Sequence, residues 1–240
     1  DVFNMWQELE HYVGRRTTGT KAGKYVLVPP GWKGALPKDA KRLDVKTRMV
    51  WLWGRIQVKE GEDPKPVVAL TQKFSVKPLD GKASATKTLA PLPDIKGNEF
   101  GLFTHLAAAL KDNPVREQDK ALFGQFARIG LTDKGFDASK LSEPTLRGMR
   151  RAMQDAPSVV ASAVVGSSEV RNGWNWVKGL DNFGYNYPLR AVVSGPYLGG
   201  QGEKEAMYPI RYTDSKGQAL SGGKKDTVRF TSDPPVNPFW

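Results

Sequence analysis

Hydrophobic and polar positions change their period twice along the chain. Through residue 80, apolar residues fall in short runs broken by glycine and proline: Tyr25-Val-Leu-Val28 before Pro29-Pro30-Gly31, Met49-Val-Trp-Leu-Trp-Gly-Arg-Ile-Gln-Val58, Val67-Val-Ala-Leu70, and Lys73-Phe-Ser-Val-Lys77. In the last of these Phe74 and Val76 alternate with polar neighbours, the mark of a strand with one wet face. No helix-length segment separates the runs, so they predict a sandwich of short strands rather than a parallel sheet. The stretch over 80–93 is small, polar and proline-bearing and predicts a linker. Beyond it Phe100, Phe103, Leu106, Ala107 and Leu110 recur at helical spacing, ending before Asn113-Pro114. Leu122, Phe126 and Ile129 mark a second helix over 116–129 with Gly130 as its stop. Ser142-Glu-Pro-Thr145 opens a third, carrying Leu146, Met149, Met153, Val160 and Val164 past an expected kink at Pro157. From Val170 the pattern again reads as β, with strands over 189–194, 207–213 and 227–231 and a turn at Asp214-Ser-Lys-Gly217.

This order predicts a multidomain α+β protein, mainly β, divided into 1–82, 83–168 and 169–240. At 240 residues the chain is long enough to fold without a metal or disulfide staple, and it has no cysteine. Disulfides, cysteine-based zinc sites, iron–sulfur clusters and thiol catalysis are thereby excluded. No run approaches the roughly 18 apolar residues of a membrane-spanning helix. The ends, Asp1-Val-Phe-Asn-Met-Trp6 and Asn237-Pro-Phe-Trp240, read as internal to a longer protein. The net charge is +11, of which +8 lies in residues 1–90. Such a surface attracts anionic polymers or nucleic acid. The basic residues are dispersed, however, with Arg15-Arg16, Lys41-Arg42, Arg150-Arg151 and Lys224-Lys225 as the adjacent pairs, so solvated faces are the preferred reading and nucleic acid is disfavoured.

A search for reactive constellations returns little. The nucleophile elbow, the phosphate-binding loop, the dinucleotide fingerprint and the paired-histidine zinc motif are all absent. His11 and His105 are too few and too far apart for a histidine metal site, and His105 falls on the first predicted helix. Gly199-Gly-Gln-Gly202 reads as a loop, because no apolar helix starts there. Asp181, Glu203 and Glu205 are the carboxylates available to a hydrolase or metal-assisted enzyme. No cofactor is assigned. The densest signal is aromatic: Trp174, Trp176, Phe183, Tyr185, Tyr187 and Tyr197 fall within residues 174–197, interleaved with Asn172, Asn175, Asn182, Asn186 and Arg190. Rings stack on sugars, bases, acyl or aryl groups, while amides and a guanidinium direct hydrogen bonds to an uncharged or weakly anionic ligand. The competing reading makes the same rings a sandwich core. An inward Arg190 would in either case need a partner or a ring to stack on.

Several phrases form an ordered set: Val13-Gly-Arg-Arg-Thr-Thr-Gly19, Tyr25-Val-Leu-Val-Pro-Pro-Gly-Trp-Lys-Gly34, Trp51-Leu-Trp-Gly-Arg-Ile-Gln-Val58, Asn172-Gly-Trp174, Phe183-Gly-Tyr-Asn-Tyr-Pro-Leu-Arg-Ala191, Glu205-Ala-Met-Tyr208 and Pro234-Pro-Val-Asn-Pro-Phe-Trp240. Together they resemble the bacterial proteins built from domain-of-unknown-function families 1254 and 1214, in the same order and over essentially the whole chain. The resemblance implies an immunoglobulin-like β-sandwich, a small orthogonal helical domain and a jelly-roll-like β-sandwich, and a periplasmic or secreted setting. Family members extend beyond both ends of this chain, so the outer two domains are expected to be incomplete. Pro29-Pro30-Gly31-Trp32 replaces the usual Gly-Pro-Gly-Trp and stiffens that turn. The resemblance brings no catalytic residues.

The sequence thus predicts a binding protein whose small-molecule or polymer ligand sits in an aromatic-lined cleft between domains. Its expected site residues are Trp174, Trp176, Tyr185, Tyr187 and Arg190, with Trp32 and Arg15 contributed by the first domain. Homo-oligomerisation is left open.

Overall fold

The computed structural model describes residues 1–79 and 92–232. Most of the linker expected over 80–93, the boundary between 82 and 83, and the Pro234–Trp240 phrase lie outside them. Among the described residues the fold mixes α and β, with small sheets, five α-helices and no closed barrel.

Three short strands form an antiparallel sheet in the order β2 (Leu9–His11), β1 (Val2–Asn4), β5 (Val50–Leu52). The register pairs Val2 with Leu52, Phe3 with Trp51 and Asn4 with Val50. A further bond from Trp53 N–H to the Asp1 carbonyl (3.0 Å) carries β5 past its last strand residue. The run Tyr25–Val28 is a strand, β3, and pairs in parallel with β4 (Lys41–Asp44). A parallel pair needs a long connection. Residues 29–40 supply it without a helix, turning at Gly31 with a φ of +78°.

Two expected strands of the first segment are absent. Val67–Leu70 lies in a helix, α1 (Lys65–Thr71), with proline in its first turn. Phe74 and Val76 belong to no strand and are 71% and 82% exposed. A four-residue apolar run does not distinguish helix from strand, and Pro64 and Pro66 favour a helix start.

The helical segment follows its periodicity more closely. Helix α2 (Gly101–Leu110) buries Ala107 and Leu110 and stops ahead of Asn113. The second predicted helix is α3 (Lys120–Phe126) flanked by 3-10 turns, and it ends at Gly130 in the left-handed region, φ +76°. Helix α4 (Glu143–Gly166) runs continuously through Pro157. The proline removes one backbone donor there, on an outer, exposed part of the helix where water can satisfy the freed carbonyl.

After α4 a hairpin joins β6 (Ser168–Arg171) to β7 (Trp174–Val177). Asn172 and Gly173 both have positive φ, +50° and +76°, which gives the tight reversal whose twist suits a two-residue hairpin. The strand expected over 189–194 is instead α5 (Tyr187–Val193). The Asn186 side chain caps it by accepting from Leu189 N–H (3.1 Å), and Pro188 sits in its first turn. Residues 207–213 and 227–231 are not extended strands. The first contributes isolated bridges, Asn175 with Ile210 and Thr213 with Ala219, around the expected Asp214–Gly217 turn. The principal core gathers Val177, Leu180, Phe183, Leu189 and Val193, with Tyr197 and Tyr208 against it. Burial of each such side chain contributes about 1.5–3 kcal/mol.

Candidate functional site

Past β5 the side chains of Trp51, Trp53 and Arg55 alternate at the strand period, so they share one face. Phe3, opposite Trp51, starts a ladder: its ring lies 5.1 Å from that of Trp51, which stacks on Trp53 at 4.7 Å. The Arg55 guanidinium lies over Trp53 at 5.4 Å. This exposed end of the ladder meets the 196–212 segment and encloses a cavity of about 700 Å³. Its walls include Trp53, Arg55, Tyr197, Met207, Tyr208 and Tyr212. Arg55 Nη2 donates to the Tyr208 hydroxyl (3.2 Å), which donates to Gln201 Oε1 (3.0 Å). Burial, and secondarily the neighbouring Tyr212 phenol, push the Tyr197 hydroxyl pKa upward, so it stays protonated as a donor.

A second assembly joins all three segments through charge. Arg116 donates from Nη1 to Glu8 Oε1 (2.7 Å) and from Nε and Nη2 to both oxygens of Asp119 (2.6 and 2.8 Å). Asp119 also accepts from Arg190 Nη1 and the Tyr187 hydroxyl, each at 3.0 Å. Its side chain is fully buried. Burial opposes ionisation of Asp119, yet the hydrogen bonds from Arg116, Arg190 and Tyr187 outweigh it and hold the carboxyl below its ordinary range. Glu8 behaves alike: burial opposes its charge, and Asn4, Arg116 and Lys46 more than compensate. Arg190 further stacks on Tyr187 (5.1 Å) and Trp6 (5.4 Å). Because its groups satisfy one another, this cluster acts as an internal clamp.

The sequence-derived site residues are dispersed. Tyr187 and Arg190 are in the clamp, with Arg190 on α5 rather than on a strand. Tyr185 is close by in sequence and 69% exposed. Trp174 and Trp176 stand half-buried on β7, with Arg171 over the Trp176 ring at 5.7 Å and the Trp176 Nε1 buried without a hydrogen-bond partner. Asn175 between them exchanges backbone bonds with Ile210 (2.8 and 2.7 Å), so β7 braces one wall of the cavity. Trp32 folds over its own loop, donating from Nε1 to the Gly34 carbonyl (3.0 Å), and Arg15 is an exposed loop residue. None of the seven lines the cavity. Of its aromatic walls, Tyr197 belongs to the cluster read from sequence, whereas Trp53, Tyr208 and Tyr212 do not. The alternation Trp51-x-Trp53-x-Arg55 was the available signal.

The remaining polar groups are also placed. Asp181 accepts from the Tyr12 hydroxyl (3.0 Å), Glu203 from Gly179 N–H (3.1 Å) and Glu205 from Arg16 Nε (2.6 Å). His11 and His105 each donate to a backbone carbonyl, those of Asp44 (2.6 Å) and Pro93 (2.7 Å). Among the described residues no group of three or more His, Asp or Glu stands together to hold a metal ion. No described helix is long and apolar enough to cross a membrane. The basic residues Lys21, Lys24, Lys33, Lys38, Lys41 and Arg42 occupy exposed positions of the first segment.

Residues 1–78 match the family model described as "Protein of unknown function (DUF1254)", which supports a relationship to that family through the first segment. The second family of the expected pair is not shown. The chain is similar in fold to the crystal structure of the VPA0106 protein from Vibrio parahaemolyticus, with a TM-score of 0.64 and 20% identity over 93% of this chain. It spans about half of that chain's length, 55%. No curated protein matches.

Proposed function

We propose that this chain is a binding module that takes a small, largely apolar organic molecule into the cavity between Trp53 and the 196–212 segment. One observation carries this reading: an open cavity of about 700 Å³, walled by an indole and three tyrosines, where two sequence-distant segments meet. That volume falls within the range of small-molecule sites, and such sites favour segment junctions with aromatic walls. The site residues read from sequence enter as support. Trp174 and Trp176 flank the strand residue that braces Ile210, and Tyr187 and Arg190 belong to the clamp that holds the three segments together.

The wider setting is part of the same proposal. The chain divides into 1–82, 83–168 and 169–240, its outer segments being parts of an immunoglobulin-like and a jelly-roll-like sandwich, in a periplasmic or secreted protein. The family resemblance supports that division and location.

A neutral fluorescent aryl probe, N-phenyl-1-naphthylamine, tests the binding reading on the whole chain. Saturable one-to-one binding is expected, weakened about tenfold by Trp53→Ala through the lost stacking surface. Met207→Trp, which fills the cavity without removing a wall, should weaken it as well. Binding that is unsaturable, or indifferent to both variants, would overturn the proposal.

A further inference from the structure

The chemistry of the cavity wall narrows the ligand class, on the premise that the cavity is the binding site. Among the described residues Arg55 is the single charged group of the lining, which otherwise consists of aromatic, aliphatic, glycine and proline residues. No Asp, Glu, Asn or Gln faces the cavity from that lining. Sugars are held by several directed amide and carboxylate contacts, so this wall is poorly suited to them. A quaternary ammonium would be drawn to the rings but repelled by Arg55. A polyanion needs more than one cation.

Arg55 is one of several described arginines without a carboxylate partner, and the one among them that lines the cavity. Arg16 is paired with Glu205, Arg42 with Asp44, Arg116 with Glu8 and Asp119, Arg150 with Glu99, Arg151 with Asp155 and Arg190 with Asp119. Arg55 has a ring beneath it and the Tyr208 hydroxyl beside it, with no carboxylate within salt-bridge distance among the described residues. The guanidinium is held between the Trp53 ring and the Tyr208 hydroxyl, and the bond to Tyr208 uses only one of its five N–H groups. An exposed fork of donors at the edge of an apolar hollow matches one planar anion on an apolar body. Tyr208, already donating to Gln201, accepts from Arg55 and so steadies the fork instead of competing with it.

We infer that the ligand is an apolar monocarboxylic acid, an aryl- or alkyl-carboxylate whose hydrophobic body lies among Trp53, Tyr197 and Tyr212 while its carboxylate takes a bidentate contact from Arg55. Matched ligands test this by calorimetry on the full chain: 4-phenylbutyrate, with a carboxylate, against 4-phenylbutyramide, the same body without charge. The acid is expected to bind about tenfold tighter than the amide, a typical gain for a charge-assisted contact. The ratio should fall as ionic strength rises and approach one in Arg55→Gln, with Arg55→Lys between the two. If acid and amide bind the wild type equally well, or Arg55→Gln keeps the full ratio, the carboxylate assignment fails while the cavity reading stands. If neither compound binds, and the neutral naphthyl probe does not bind either, the cavity reading itself fails.

Discussion

Gly199 packs directly against the indole of Trp53, at a φ of +77° and with no room between them for a Cβ. The loop that follows α5 can therefore approach the first segment only because residue 199 carries no side chain, and that approach closes one end of the cavity.

Gly199→Ala should weaken both fold and binding. The left-handed backbone costs alanine about 1 kcal/mol, and the displaced ring adds an overpacking cost of about 1–3 kcal/mol. Thermal unfolding should report a lower midpoint, and the naphthyl probe should bind more weakly because Trp53 is pushed from its place. A wild-type midpoint with unaltered probe binding would show that the contact does not shape the cavity.

The clamp predicts acid sensitivity. In the folded chain Glu8 and Asp119 are held below their ordinary values of 4.5 and 3.8, despite burial, by Asn4, Arg116 and Lys46 in one case and by Arg116, Arg190 and Tyr187 in the other. When pH falls below about 4.5 the unfolded chain takes up these protons first, so stability declines until the folded-state values are passed. Above the ordinary values the contribution is fully present. Urea midpoints between pH 6 and pH 3 should fall with pH. Asp119→Asn should lose about 3 kcal/mol at pH 7, because it leaves two guanidinium groups short of a buried partner, and should flatten the acid slope. Equal slopes for wild type and variant would show that the clamp does not set the acid response.

Tyr12 ties the first segment to the last. Its hydroxyl donates to Asp181 Oδ2 (3.0 Å) and accepts from Gly202 N–H (2.8 Å), while Arg16 lies over its ring at 4.8 Å. Tyr12→Phe keeps the ring and strands a carboxylate and a backbone donor, at a cost of about 1–3 kcal/mol. For a chain of this size that lowers the melting midpoint by several degrees. The Gly202 amide proton should shift upfield in NMR spectra and exchange faster with solvent. An unmoved amide resonance would mean that the bond is not made in solution.

The contrast between α2 and α5 shows where sequence reading reaches its limit. In α2, Phe103, Ala107 and Leu110 repeat over enough turns to fix a helical face, and Asn113-Pro114 gives a stop. In α5 only Leu189 to Val193 carry the pattern, a run too short to separate helix from strand by period. The Asn186 cap and Pro188 held the deciding information. Similarly, Val67–Leu70 has the short apolar composition of a strand, and the prolines at 64 and 66 are what favour a helix there.

Local chemistry by itself determined the helical segment from α2 to α4, the Gly130 stop, the strand at 25–28 and the turn at 214–217, because each depends on residues within a few positions of one another. Tertiary structure alone decided that Trp53 and Arg55 face Tyr208 and Tyr212, and that Glu8, Arg116, Asp119 and Arg190 share one buried charge network. These contacts join residues separated by up to 153 positions in the chain, and no period within either partner encodes the other. Hydrophobic spacing tells a residue which side to bury. The choice of the group it meets there follows from how the whole chain packs and from the requirement that every buried charge find its counterpart.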